Sequence, residues 1–392
     1  MESVWSKSIE LDSFKKLDGD VKTDVLIIGG GMAGLLCAYF LEQQRIPYIL
    51  VEGGKIGCGI TKNTTAKITA QHGVIYNDMI NNAGFQKAKQ YLDVNLWGVG
   101  KFRELCKNID CDFEEMPSFA YSLTNREMIE KEVSAVNKLG FNAEFTDSLP
   151  LPLDIAAAIK FPSQAQFNPL KFLARLSRGL NIRENTFIEK VSKNRAETKS
   201  GNITANKIII TTHFPMINIA GLYSLKLYQH RSYVIALDNA VHVGGMYVDE
   251  AQNGLSFRNY QSLLLIGGGD HRTGEEGGNW RELRDFAKTF YPNAVEKYAW
   301  ATQDCMSIDS VPYIGRLTSL YPNVYVATGF NKWGMTSSMV RANILTDMIM
   351  DKNNRYAEVF NPNRSMLKKQ LAVNSFEAVK NLVSFNTKRC TH

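Results

Sequence analysis

Three glycines, at positions 29, 31 and 34, stand between an apolar run at Val25–Ile28 and an apolar stretch with helical spacing. Each has a defined use in a dinucleotide-binding loop. Gly29 permits a tight turn, Gly31 lets the backbone approach a pyrophosphate, and Gly34 allows the helix to pack on the strand. The alternative is a glycine-rich turn of an ordinary α/β core. The flanking strand and helix favour the dinucleotide.

The residues that follow these glycines complete the same pattern. Met32 and Ala33 open the helix, whose first N–H groups attract phosphate. Glu52 ends the next apolar run and is followed by Gly53. An acid at this place accepts a hydrogen bond from a ribose hydroxyl.

A second strand–glycine–helix segment lies near the other end of the chain. The run Val324–Thr328 leads into a loop with Gly329, Lys332, Trp333 and Gly334, and Met335 and Thr336 then open a helix. A helix N-terminus stabilises negative charge, which a flavin gains on reduction. Two such sites exceed what a nicotinamide cofactor needs and suit an elongated FAD. The alternative is a simple turn between strand and helix.

Four side chains are candidates for catalysis or substrate contact: His72, His271, Arg258 and Gln303. His72 follows the Thr-rich loop, and His271 follows three glycines and an aspartate. Either histidine could act as a base for an alcohol substrate or could be structural. No His, Cys or Asp cluster has metal-ligand spacing, so no metal site is predicted.

Composition narrows the class of protein. The 392 residues carry a net charge of +6 that is mixed along the chain, which argues against nucleic-acid binding. Six irregularly spaced cysteines without a C-x-x-C motif indicate reduced thiols, and no signal peptide or long apolar run is visible. We therefore predict a cytoplasmic protein without a membrane span.

Hydrophobic periodicity predicts an α/β fold in which a Rossmann-like FAD-binding domain is interleaved with a mixed or antiparallel α+β substrate domain. The FAD-binding domain is expected at residues 22–80, 155–225 and 305–352, the substrate domain at 81–154 and 226–304, and a helical tail at 353–392. The individual predictions are helices at 83–108, 126–138, Pro169–Leu180, 280–291 and Thr336–Asp351, and strands at Phe113–Leu123, Thr186–Val191, Lys207–Thr212, Ser232–Leu237, Gly245–Val248, Ser262–Ile266 and Val324–Thr328.

Taken together, these motifs resemble the D-amino-acid oxidase-like FAD oxidoreductases, which include glycine and sarcosine oxidases. The resemblance covers most of residues 22–352 and rests on the two glycine sites, Gly57–Thr61, Asn168–Pro169, the strand ending at Thr211 and Thr212, and Asp309–Gly315. It implies FAD, bound covalently or non-covalently, and because no cysteine stands where a covalent flavin link is expected, we predict non-covalent FAD. By the same resemblance, residues Thr61, Thr64, Thr65, Ala66 and Lys67 lie near the flavin or pyrophosphate, Val191 near the adenine, and Lys332 to Met335 at the flavin ring.

The runs Asn63–His72 and Trp300–Asp304 resemble a subgroup that fuses this module to a C-terminal Rieske iron–sulfur domain. Such a domain uses Cys-x-His and Cys-x-x-His ligand pairs. This sequence ends Lys388-Arg-Cys390-Thr-His392, which contains the first pair alone. The interpretation is a truncated or absent Rieske domain, with a chance match of three residues as the alternative.

One departure from the family bears on substrate. Amino-acid oxidases of this type hold the substrate carboxylate with an arginine, and the corresponding position here is Asp304. Because an acid cannot clamp a carboxylate, glycine, sarcosine and plain D-amino acids are disfavoured. Asp304 could attract a cationic or hydroxyl-bearing group, or could form a structural salt bridge with Arg258 or Arg272.

The predicted function is an FAD-dependent oxidoreductase that removes a hydride from a small amine or amino-acid-like C–H donor. Electrons would pass to oxygen or to an acceptor protein. The alternatives are an electron-transfer flavoprotein that works with a Rieske-type partner, a non-catalytic FAD-binding remnant, and a nicotinamide dehydrogenase, for which the second glycine site would lack a purpose.

Overall fold

Parallel strands with buried residues on both faces form the centre of a first sheet. The structure, a computed structural model, describes residues 2–217, 221–251 and 253–364. Within these residues the first sheet has eight strands: β1 Val21–Ile28, β2 Tyr48–Val51, β7 Ile182–Arg183, β8 Lys190–Val191, β9 Arg195–Thr198, β10 Gly201–Ile210, β16 Tyr313–Thr318 and β17 Tyr321–Thr328. The order β16-β17-β10-β1-β2-β7 is parallel from β17 to β7, and β16 closes one edge antiparallel to β17. The apolar runs that begin the chain's two glycine sites are therefore central strands, as expected of a sheet covered on both faces.

A second sheet of nine described strands is mostly antiparallel, although β4 and β12 run parallel. Its order is β15-β11-β14-β13-β12-β4-β6-β3, with β5 paired to β6. The strands are β3 Lys67–Ile68, β4 Glu114–Ser122, β5 Glu144–Thr146, β6 Ala157–Gln166, β11 Leu227–Asp238, β12 Met246–Asp249, β13 Ser256–Tyr260, β14 Leu263–Arg272 and β15 Val295–Ser307. The predicted α/β architecture, with a mixed sheet interleaved in sequence with the cofactor-binding sheet, is confirmed.

Eight described α-helices cover these sheets: α1 Met32–Gln43, α2 Tyr76–Ala83, α3 Phe85–Cys106, α4 Arg126–Lys138, α5 Pro169–Leu176, α6 Tyr223–Lys226, α7 Arg281–Phe290 and α8 Gly334–Ile349. Short 3₁₀ helices lie at Val4–Lys7, Ile60–Asn63 and Ala357–Phe360. Most residues of α1 and α8 are buried, because these two helices pack against each other as well as on the first sheet. Helix α1 follows β1 and helix α8 follows β17, and these strands run parallel. The N-termini of both helices therefore lie at the same end of the sheet.

Most predicted elements are present, although β10 and β11 begin earlier and β14 ends later than predicted, by five or six residues. Two other predictions differ from the structure. The predicted strand Thr186–Val191 is wrong over most of its length. Only Lys190–Val191 pairs, and the side chain of Phe187 is 70% exposed. The helix that begins at Pro169 ends at Leu176, short of the predicted Leu180, and Gly179 follows with a φ of +80°. Asn168 caps that helix as expected, accepting the N–H groups of Leu170 and Lys171.

Two segments placed by sequence with the cofactor-binding portion pair elsewhere. Lys67–Ile68 and Ala157–Gln166 belong to the second sheet, where they pair with each other. Each segment stands next in sequence to segments of the first sheet, which is why the predicted boundaries grouped it with them. The remaining domain boundaries stay a prediction. Of the tail predicted at 353–392, residues 365–392 lie outside the described residues, and with them Cys390 and His392.

Candidate functional site

A cavity of about 710 Å³ lies where the glycine loop of the first sheet meets the second sheet. Residues of β1, α1 and α8 and of the segment that follows β10 belong to one part of the lining, and residues of β11, β14 and β15 belong to the other. The predicted cofactor residues that line it are Gly29, Gly31, Met32, Ala33, Glu52, Gly53, Thr61, Thr64, Thr65, Lys67, Thr211, Thr212, Lys332, Trp333, Gly334 and Met335. Those outside its lining are Gly34, Ala66, Val191, Gly329 and Thr336.

Close contacts require two of the three glycines in the first loop, Gly29 and Gly34. A Cβ at Gly29, whose φ is +113°, would lie 2.9 Å from the carbonyl oxygen of Thr211. A Cβ at Gly34 would lie 1.9 Å from the carbonyl oxygen of Gly29. Gly31 faces the cavity, and the nearest atom to its Cβ position is Thr61 Oγ1 at 3.4 Å. The backbone at Gly31 can therefore be approached closely by a ligand, while Gly34 serves the contact between helix and strand.

Side chains from two other loops support the start of α1. Thr61 Oγ1 accepts the N–H of Met32 at 3.0 Å, which caps one first-turn donor. Glu52 accepts the N–H groups of Gly30 at 2.7 Å and Gly54 at 2.8 Å. An ionised carboxylate has about four acceptor sites, so Glu52 retains capacity for a ribose hydroxyl. Thr61 thus acts on the glycine loop through a hydrogen bond that local sequence does not reveal.

The second glycine site presents the N-terminus of α8 to the cavity through Trp333, Gly334 and Met335. Thr336, in contrast, points away. Its hydroxyl donates to the carbonyl of Thr69 at 2.9 Å and accepts the Thr69 N–H at 3.0 Å. It ties α8 to the β3 segment. Gly329 provides a left-handed turn, with a φ of +70°.

Ala66 and Val191 are also displaced from their expected roles. The carbonyl of Ala66 accepts a hydrogen bond from Arg258 at 2.9 Å, and the residue is fully buried. Val191 pairs with Ala196 in a short hairpin. Thr186, Phe187 and Ile188 form the cavity wall nearby instead. Their loop conformation explains why the predicted strand at this position was wrong.

The four candidates for catalysis lie outside the cavity lining. His72 is buried, contacts Tyr91 Oη at 2.7 Å and the Thr69 carbonyl at 2.9 Å, and stacks on Trp333 with 5.3 Å between ring centroids. Burial lowers the pKa of His72 to about 3. Arg258 donates to the carbonyls of Thr65 and Ala66 and not to Asp304, so that predicted salt bridge is wrong. His72 and Arg258 thus lie outside the lining but contact residues that form it, Trp333 and Thr65 respectively.

The other two candidates are each one residue away from a side chain that lines the cavity. His271 contacts Tyr233 Oη at 3.0 Å, whereas its neighbour Asp270 faces the cavity. Gln303 contacts Arg231 at 3.4 Å, whereas its neighbour Asp304 faces the cavity. Successive side chains of a strand point to opposite faces of the sheet. A prediction that is wrong by one position therefore selects a side chain on the face away from the cavity.

One end of the cavity carries Asp270, Asp304, Lys332 and Lys67. Lys332 and Asp270, a nearly buried carboxylate, form an ion pair. The contact of Asp304 with Ser232 Oγ is long, at 3.5 Å. Burial raises the pKa of Asp304 to about 7, against the opposing effect of the Lys332 charge. Burial, with the charges of Arg258 and Lys332, lowers the pKa of Lys67 to about 7.

Sequence reasoning missed several of these lining residues. Asp270 stands in the Gly267–Asp270 run, where strand alternation could have distinguished it from His271. Arg341 lies on α8 at helical spacing from Ser338, which also lines the cavity. His213 carries no sequence signal beyond its position after Thr212.

The residues present fit an elongated dinucleotide. The glycine loop leaves room for the backbone to approach a phosphate, and the N-terminus of α8 faces the same cavity. Buried nitrogens of Arg341 and His213, both on the cavity wall, have no hydrogen-bond partner among the described residues. Such orphaned groups indicate a ligand that supplies acceptors. In the same part of the chain, no cluster of three or more His, Cys, Asp or Glu could hold a metal ion.

Comparison with known proteins identifies the same architecture. The family model described as DAO, FAD dependent oxidoreductase, matches residues 24–348. A putative Rieske 2Fe-2S iron–sulfur protein of Bacillus subtilis, YhfW, is 35% identical over 93% of this chain and 75% of its own length.

Solved structures agree with this fold. Glycine oxidase from Geobacillus kaustophilus superposes with a TM-score of 0.73 at 18% identity, over 88% of this chain and 99% of its own. L-proline dehydrogenase from P. horikoshii gives 0.74 at 18% identity, over 89% and 98%. At this identity the likeness concerns the fold. Across the described residues, no helix is both long and apolar enough to cross a bilayer.

Proposed function

The chain belongs to the family of FAD-dependent oxidoreductases of the D-amino-acid oxidase type, and on that premise we propose that it oxidises a small amine. The observation that supports this substrate class is Asp304, a carboxylate that lines the cavity from β15 of the second sheet. The bound flavin would supply the hydride acceptor, N5, and the protein would supply orientation and proton acceptance.

Charge at this end of the cavity supports an ammonium ligand. Asp270 is neutralised by Lys332, and Lys67, with a pKa of about 7, is only partly charged near neutral pH. Asp304 forms no ion pair among the described residues, although the Lys332 charge acts on it and opposes the rise in its pKa. A cationic amine would bind it favourably, whereas a second carboxylate would be repelled.

Asp304 would also serve as the proton acceptor. A hydride leaves readily only from an amine that has lost its ammonium proton. A carboxylate whose pKa is near 7 can bind the ammonium ion and accept that proton. Activity should therefore rise with pH through about 7, because the acceptor is the deprotonated form. We expect FAD to be held non-covalently, since no cysteine is among the described residues that line the cavity.

The test is anaerobic addition of simple amines, and of amino acids with the same side chains, while the flavin's visible absorption is followed. The proposal is supported if amines bleach the flavin faster than the matched amino acids do. It is refuted if the amino acids bleach it faster. Asp304→Asn should slow the reduction and remove its rise with pH. The matched control is Glu296→Gln, the same acid-to-amide change on β15, where the glutamate is exposed and paired with Arg284 at 2.7 Å.

A second candidate is an electron-transfer flavoprotein with a Rieske-type partner. It is favoured by the likeness to YhfW, a putative Rieske protein of which this chain spans three quarters. In that case amine-reduced protein should react slowly with oxygen and quickly with an iron–sulfur acceptor. Peroxide formed in step with substrate would favour an oxidase. Flavin that no donor reduces would favour a non-catalytic remnant. A cytoplasmic location remains a prediction.

A further inference from the structure

Arg341 is a buried cation in the middle of α8, on the wall of the cavity. Within the described residues its side chain donates one hydrogen bond, from Nη2 to Ser338 Oγ at 2.9 Å, and its guanidinium stacks on the ring of Phe330 at 3.8 Å. Nε and Nη1 are buried and without a partner among the described residues. Leaving such donors unpaired is costly, so folding alone does not explain an arginine here.

A second orphaned group lies close to the first. His213 follows the end of β10 in a left-handed conformation, with a φ of +63°, and its Nε2 is buried and unpartnered within the described chain. Burial and the Arg341 charge lower the pKa of His213 to about 4, which keeps the imidazole neutral. A neutral imidazole can donate one hydrogen bond to an oxygen. The two side chains therefore present three nitrogens to the same part of the wall.

This part of the wall adjoins the glycine loop. Thr211, directly after β10, contacts the glycine loop, because a Cβ at Gly29 would lie 2.9 Å from Thr211 Oγ1. His213 follows two residues later. On the other side, Arg341 lies beside Cys37 of α1, whose pKa burial raises against the effect of that charge. The positive charge of Arg341 is thus on the side of α8 that meets α1 and the segment after β10.

We propose that Arg341, with His213 beside it, binds the anionic pyrophosphate centre of FAD. The glycine loop leaves space for the phosphates, and Arg341 supplies the full positive charge that the loop itself lacks. The unpartnered nitrogens of the two side chains would donate to the phosphate oxygens, directly or through one water. The inference rests on FAD binding by the family and is independent of the amine substrate.

The test compares apoprotein of Arg341→Met and wild type. FAD and ADP, which shares the pyrophosphate, are titrated into each by calorimetry. We expect Arg341→Met to weaken both ligands roughly ten- to a hundredfold, as for loss of charge-assisted hydrogen bonds. Arg341→Lys should retain part of the affinity. The melting temperature of the apoprotein should not fall in Arg341→Met, because the substitution removes unpaired donors.

Arg258→Met is the matched control, since Arg258 is equally buried but lies outside the cavity lining and is paired with the backbone carbonyls of Thr65 and Ala66. It should lower the melting temperatures of apoprotein and holoprotein alike. The proposal is overturned if Arg341→Met binds FAD as wild type does, if it loses FAD affinity but keeps ADP affinity, or if it behaves as Arg258→Met. Should Arg341→Met fail to fold, His213→Ala gives the same comparison, with a severalfold loss for both ligands expected. Failure of wild type to bind FAD would instead reject the cofactor.

Discussion

Gly34→Ala tests whether packing at the start of α1 positions the dinucleotide loop. The added Cβ would lie 1.9 Å from the carbonyl oxygen of Gly29, whereas real Cβ contacts are essentially never under 3.0 Å. Helix and strand must therefore separate by at least 1.1 Å. Overpacking of this kind costs about 1–3 kcal/mol of the free energy of unfolding.

The same displacement moves the backbone of Gly31 and Ala33, which line the cavity, away from a bound phosphate. A shift of this size takes a hydrogen bond beyond its useful range, so FAD affinity should fall roughly tenfold or more. The assay is thermal denaturation with and without FAD, together with an FAD titration.

Gly100→Ala is the control for Gly34→Ala. Gly100 lies within α3, and its Cβ position has no atom within 4 Å. Alanine there should raise stability by up to about 1 kcal/mol, as in an exposed helix interior. The reasoning fails if Gly34→Ala retains the melting temperature and the FAD affinity of wild type.

Two further predictions concern buried ionisable groups. His72 has a pKa of about 3 in the folded protein and 6.5 as its ordinary value, so its neutral form stabilises the fold above pH 6.5 and this contribution is lost as the pH falls. The difference in free energy of unfolding between wild type and His72→Gln should shrink below pH 6.5 by up to about 1.4 kcal/mol per pH unit. Urea denaturation at several pH values measures this difference, and a constant difference would contradict the lowered pKa. Lys332→Met leaves the Asp270 carboxylate, 4% exposed, without its partner, and should destabilise the apoprotein by roughly 1–3 kcal/mol. Adding Asp270→Asn should restore part of that loss in thermal denaturation, and a double variant no more stable than Lys332→Met would show that the pair is not coupled.

Local pattern accounts for the parts of the site that are built from contiguous residues. The strand before Gly29, the helix after it and the acid at Glu52 are each specified within about thirty residues, as the family's βαβ unit requires. The Asn168 cap is similarly local, because its side chain accepts N–H groups two and three residues ahead. Such features are predictable because the interacting groups are close in sequence.

The position of two catalytic candidates outside the cavity lining has the opposite cause. His271 and Gln303 were each one residue from the side chains that face the cavity, Asp270 and Asp304. The register of β11 against β14 shifts between Arg231 and Tyr233, and an irregularity of this kind leaves no clear mark in a single sequence. The face of a strand that meets a cavity is decided by its partners.

The sequence by itself determined the α/β class, the two glycine sites and the family, since periodicity and turn residues act over short stretches of chain. Only the tertiary structure decided which charges share the cavity. Lys332 meets Asp270 across 62 residues, and Arg341 lies near His213 across more than a hundred. Electrostatic energies depend on distance in space and on burial, and both quantities exist only once the chain has folded.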